Sequence, residues 1–222
     1  MDHASAYRQS RERLSDLARD LSSTDDQSTV PASPAWTVRD TYAHLAGAAA
    51  DVVAGNLQDA GSDAWTAAQV TARAGRALDD ILREWAEVGP EFEELIATSP
   101  ESWWRFVSGT WLHEQDIRAA VGLRGLRNTD GGEVTLLLVD TIADRIAAAD
   151  LPALRIMTDG RSWTLGDGPP AASLRADRYE LARSVGGRRS VEQMAALDWE
   201  GDGRRYLPLL ATYGPPDDDL ID

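Results

Sequence analysis

The chain carries three histidines and no cysteine. His3 falls in an N-terminal segment expected to fray, which leaves His44 and His113 as the side chains best suited to chemistry. Each lies in the middle of a strongly marked helical pattern. Imidazole is the commonest neutral metal ligand and the natural proton acceptor near neutral pH. Two helices facing each other across a bundle bring two such rings together. His44 has Asp40 one turn before it and Asp51 about two turns after it, while His113 shares a helical face with Asp116 at i+3. Glu114 points roughly a hundred degrees away from His113. The competing assignment is structural: an isolated helical histidine is more often a satisfied core or boundary residue than a ligand. By the same reasoning Asp40 reads as a helix cap and Asp116 as a partner for an arginine.

Two further features bear on a site. Trp36, Trp65, Trp85, Trp103, Trp104 and Trp111 lie in or beside the helical segments that carry the histidines. They suit the wall of a substrate cleft, although for most of them a place in the core is the simpler assignment. In Gly-Gly-Arg-Arg-Ser (186–190), Arg188 follows a flexible pair and has the fork geometry that clamps a carboxylate. A capping glycine followed by surface arginines is the alternative there. No phosphate-binding or dinucleotide glycine fingerprint is present, and no serine sits in a nucleophile elbow.

The elements that must position these residues follow from hydrophobic periodicity. Residues 4–22 form an amphipathic helix through Leu14, Leu17 and Leu21, and 22–35 read as a loop. Trp36 precedes a helix capped by Thr37, with Asp40 at N3 in a capping-box arrangement. One long helical pattern covers about 66–97, with a break expected at Gly89-Pro90. Helices follow at about 101–121 and 133–148, separated by a glycine-rich loop. After Leu151-Pro152 the pattern changes to two short strands, 154–159 and 161–166, and then to short helices. The tail 214–222 is expected to be mobile. The predicted architecture is mainly α: an up-down four-helix bundle over 1–150 and a small α+β domain over 151–222.

Composition narrows the function classes. The 222 residues hold 43% hydrophobic side chains, enough for a packed core. A formal net charge of −15 argues against nucleic-acid binding and against a polybasic membrane anchor. All 22 basic residues are arginine, which with the alanine richness hints at a GC-rich bacterial source. Without cysteine, any thiol chemistry needs a thiol from outside. The N-terminus lacks the apolar core of a signal peptide, and a cytoplasmic protein is the expectation.

Three segments resemble one known family in the right order. WTVRDTYAHLAG (36–47), WLHEQDIRAAVG (111–122) and YELARSVGGRRSVEQMAALDWEGD (179–202) are similar to signatures of the mycothiol-dependent maleylpyruvate isomerase family. The resemblance implies a DinB-like four-helix bundle with a C-terminal sterol-carrier-like domain. It implies a divalent metal, zinc by expectation, held by His44 and His113, with mycothiol as the borrowed thiol. Arg188 matches the family's Gly-Arg element and is expected to bind a carboxylate of substrate or thiol. One departure stands out: the family's acidic ligand sits one turn before the second histidine, and here that position is Gly109. Asp116 or Asp40 would have to replace it. The resemblance thus implies a metal- and thiol-dependent isomerase or S-transferase acting on a small electrophilic metabolite. Two alternatives remain: a metal-independent enzyme of specialised metabolism using histidine as general acid/base, and a non-catalytic small-molecule binder with a stress-response role. The expected partner is a small molecule, with neither nucleic acid nor membrane. DinB-like bundles often pair, so a homodimer is one expected assembly, although no residue marks its interface.

Overall fold

The computed structural model describes residues 1–222. Its contacts divide the chain into two compact units, Met1–Gly125 (with the terminal Asp222) and Leu126–Ile221.

The first unit is a helical bundle. Its helices are α1 (His3–Asp20), α2 (Val38–Val53), α3 (Asp63–Ala72), α4 (Leu78–Thr98) and α5 (Pro100–Ala120). Helices α1 and α2 each pack against both α4 and α5, which closes a four-helix bundle, and the short α3 lies along α2. The interior follows the expected periodicity: Leu14, Tyr42, Trp85, Phe92, Trp111 and Ile117 are all buried. Between α1 and α2 the chain forms a hairpin, β1 (Thr29–Val30) and β2 (Ser33–Thr37), where a plain loop was expected. Trp36 is carried by β2.

The long pattern over 66–97 proves to be two helices, and the break lies elsewhere than predicted. The chain turns between α3 and α4, where Gly75 takes a φ of +76°. Helix α4 instead runs through Gly89 and Pro90. An interior proline costs a helix about 3 kcal/mol. The apolar face formed by Ile81, Trp85, Phe92 and Ile96 is buried on both sides of the proline, and it supplies the compensation.

Residues 130–148 also differ from expectation. They form α6 (Asp130–Thr135), a 3-10 stretch (Leu136–Thr141) and α7 (Ile142–Ala148). They pack mainly with the elements that follow them and fall within the second unit, which begins at Leu126. The bundle is already complete with α1, α2, α4 and α5, and Val134, Leu138, Val139, Ile142 and Ile146 bury their apolar surface in the second unit. That unit holds a four-stranded sheet in the order β4-β3-β5-β6, from β3 (Leu154–Thr158), β4 (Arg161–Leu165), β5 (Ala172–Arg175) and β6 (Asp198–Gly201). Strands β3 and β5 run parallel, and the outer pairs are antiparallel. The short helices α8 (Arg178–Val185), α9 (Val191–Ala195) and α10 (Leu207–Leu210) complete it.

The tail is pinned rather than mobile. Ser190 and Gln193 form a capping box at the start of α9, and the same two side chains hold Asp219 and Leu220. Leu220 is buried. No helix is long and apolar enough to cross a membrane.

Candidate functional site

Helix α2 starts where the sequence says it must. Thr37 Oγ1 accepts from the Asp40 backbone N–H at 3.1 Å, and Asp40 Oδ2 accepts from the Thr37 backbone N–H at 3.0 Å. Asp40 is therefore engaged as half of a capping box, and that bond fixes the entry of the helix bearing His44. Helix α5 is fixed from inside the bundle. Glu114, buried, accepts from Arg13 of α1 at 2.5 and 2.8 Å. As the spacing predicted, this carboxylate faces away from His113, and its role is to bind α5 to α1.

With both helices set, His44 and His113 converge. Their ring centroids are 5.2 Å apart, in an edge-on arrangement with 80° between planes. Trp36 lies against both, 5.1 Å from the His44 ring and 6.2 Å from the His113 ring. All three side chains are half-buried. Of the other tryptophans, Trp65, Trp85 and Trp111 are buried, which is the core placement that sequence favoured. Tyr42 lies close in sequence to His44 but is held apart from the chemistry. Its hydroxyl donates to the Leu14 carbonyl at 2.9 Å. Burial, aided by Glu114, pushes the phenol far above its ordinary range and keeps it neutral.

The two imidazoles are supported differently. His113 Nδ1 lies 3.3 Å from Asp116 Oδ2, a carboxylate with no exposed surface. Asp116 thus stands behind the ring, where an orienting carboxylate stands. His44 Nδ1 meets Gln69 Oε1 at 2.7 Å, and Gln69 Nε2 donates to Asp51 Oδ2 at 2.8 Å. Asp51 is held in turn through its other oxygen by Asn56 Nδ2 at 2.9 Å. Gln69 is buried on α3 and was not singled out from sequence. The available signal was Gly47, one turn beyond His44. A Cβ there would come within 2.6 Å of the Gln69 Cβ, so the bare glycine is what lets α3 approach closely enough for Gln69 to reach the ring.

The side chains present do not complete a metal site. A catalytic zinc takes three protein ligands, and no group of three or more histidine and carboxylate side chains is arranged to hold an ion. Asp40 caps α2, Asp51 binds Gln69 and Asn56, and Glu114 binds Arg13. One turn before His113 stands Gly109, where an added Cβ would meet nothing within 4 Å. The histidine pair consequently borders open space at the position where a third ligand would project. Arg188 belongs to the second unit, where it is buried and donates to the Gly186 carbonyl at 2.8 Å. Its neighbour Arg189 pairs with Glu180 at 2.7 Å.

No curated protein and no solved structure matches the chain. The family model for the mycothiol maleylpyruvate isomerase N-terminal domain matches residues 7–129, which cover nearly all of the bundle and both histidines. That match spans more than half of the sequence, and the chain belongs to the mycothiol maleylpyruvate isomerase family.

Proposed function

We propose that the protein is an enzyme that uses a low-molecular-weight thiol, mycothiol by family, to isomerise or S-substitute a small electrophilic metabolite, with His44 and His113 as its acid–base pair. The observation that carries this reading is the convergence of two differently supported imidazoles at 5.2 Å, beside Trp36. The chain has no thiol of its own, so the nucleophile is a co-substrate.

In the proposed cycle the unprotonated nitrogen of His44 takes the thiol proton, and the thiolate sulfur adds to the electrophilic carbon of a conjugated alkene. The alkene π pair moves toward the carbonyl oxygen, where a proton held by His113 offsets the developing charge. Rotation about the new single bond and loss of the thiolate give the isomer; protonation at carbon instead leaves the thioether. Asp116 supports His113 while that ring carries its proton. A divalent ion would polarise the same oxygen and acidify the thiol, but Gly109 in the third position offers it no ligand, and the proposed cycle runs on the two histidines. Arg188, by its match to the family's Gly-Arg element, remains a proposed carboxylate contact of the second unit by itself.

The test is turnover of maleylpyruvate with added mycothiol, followed by proton NMR of the cis and trans isomers, on protein assayed for metal and treated with chelator. The expected result is thiol-dependent turnover that survives chelation and falls about a hundredfold or more in both His44→Ala and His113→Ala. Turnover that is indifferent to both histidines defeats the site. Turnover that is abolished by chelation and restored by zinc defeats the metal-independent form.

A further inference from the structure

We infer that Asp51 and Gln69 form a two-bond relay that fixes the tautomer of His44, presenting Nε2 as the proton-accepting nitrogen. The donors and acceptors of these side chains allow one arrangement. An ionised carboxylate accepts and never donates, so the side chain that approaches Asp51 Oδ2 at 2.8 Å must offer its NH2 group. That settles which way the Gln69 amide points. Its carbonyl oxygen is then the atom 2.7 Å from His44 Nδ1. A carbonyl oxygen also only accepts, so Nδ1 must carry a hydrogen. In the neutral ring the lone pair is left on Nε2.

Each link is held from behind. Asn56 Nδ2 donates to Asp51 Oδ1, and Trp65 Nε1 donates to the Asn56 carbonyl at 3.1 Å, so the carboxylate cannot swing away without breaking the α2–α3 connection. The Gln69 backbone carbonyl accepts from Arg73 at 3.1 Å, and Arg73 is itself paired with Glu84. The glutamine is buried and packed against Gly47, so its amide does not exchange orientation with solvent. A glutamine between carboxylate and imidazole transmits orientation but carries no charge to the ring. Gln69 and Asp51 are accordingly positioning residues: they set which nitrogen of His44 reacts and do not meet the substrate themselves.

This inference rests on His44 being the base proposed above, but its test needs no substrate. Only three histidines are present, so nitrogen-15 histidine labelling gives three ring systems, assigned by loss of signal in His3→Gln and His44→Gln. At about pH 8, above the ordinary imidazole range, long-range proton–nitrogen correlations report the tautomer directly. The expected result is an excess of the Nδ1–H form at His44 of about fivefold or more, the ratio that one net hydrogen bond sustains. Asp51→Asn frees the Gln69 amide to turn, and is expected to shift His44 toward Nε2–H. Gln69→Met, close in size but without an acceptor, is expected to shift it fully, whereas Gln69→Glu combined with Asp51→Asn, in which the asparagine NH2 supplies the donor and the glutamate still accepts from the ring, keeps Nδ1–H. A packing role alone would not separate Gln69→Met from that double variant. Nε2–H at His44 in the unaltered protein overturns the relay, as does a tautomer unmoved by both Asp51→Asn and Gln69→Met. The measurement on the unaltered protein stands even if a variant fails to fold. A failed relay also leaves the turnover test of the histidine pair intact.

Discussion

His44 and His113 are the same side chain on neighbouring helices, yet their surroundings are built from different materials. His113 faces a buried carboxylate directly, from its own helix at i+3. His44 reaches its carboxylate through a glutamine on a separate short helix. The direct arrangement sets a carboxylate against the ring, and the indirect one sets a neutral amide oxygen there. The difference teaches that two like residues meeting on neighbouring helices can be given different surroundings by what stands behind each ring. The cost of assembly differs too: the support of His113 is local to α5, whereas that of His44 depends on α3 packing against α2.

The comparison can be broken from either side. Arg13→Ala strikes the helix of His113: it leaves Glu114 buried and unpaired, and the expected loss of stability is about 3–5 kcal/mol by urea denaturation. A loss under about 1 kcal/mol would show that α5 is held by apolar packing alone. Gly109→Glu adds a carboxylate at i−4 to His113, in space that nothing occupies. Zinc affinity by calorimetry is expected to rise about a hundredfold, near 2.7 kcal/mol, and to vanish again when His113→Ala is added. Gly47→Ala strikes the other side, since its Cβ would overlap Gln69. Overpacking of this kind costs about 1–3 kcal/mol, and the His44 ring signals should move while those of His113 stay. Asp116→Asn is expected to lower kcat about tenfold with KM little changed, a loss of roughly 1.4 kcal/mol. The smallest effect concerns pH. Burial raises Tyr7 and Tyr42 above their ordinary range. Both phenols stay neutral in the folded protein, while the unfolded chain ionises near pH 10. Their contribution is complete below about pH 10 and is lost as pH rises beyond it. Tyr42→Phe should flatten that alkaline limb of the stability curve.

Much of this architecture was legible beforehand, for definite reasons. The Thr37–Asp40 capping box is a local motif, and it forms as spacing predicted. Histidines on two amphipathic helices, together with the resemblance at 36–47 and 111–122, pointed to two rings that would meet, and they do. The opposite faces of Glu114 and Asp116 followed from helical geometry. What stayed hidden depends on contacts between segments. Gln69 shares a helical face with Trp65 at i+4, but a polar residue type gives no sign of its imidazole partner, which depends on the close approach over Gly47. The proline in α4 was read as a break because local propensity predicts one. Packing on both sides of it prevailed. Residues 130–148 have the same periodicity as the bundle helices, and periodicity does not say which core a helix joins. The tail carries no pattern of its own, because its partners are a capping serine and glutamine nearly thirty residues earlier.

The close approach over Gly47 also makes a statement about descent. Any side chain larger than hydrogen at that position pushes α3 outward and strands Gln69, and a lineage that loses Gln69 is released from keeping the glycine. Across related sequences the two positions should therefore change together, with Asp51 following them. Lineages that have exchanged the trio would mark where the histidine of α2 has been turned to a different chemistry.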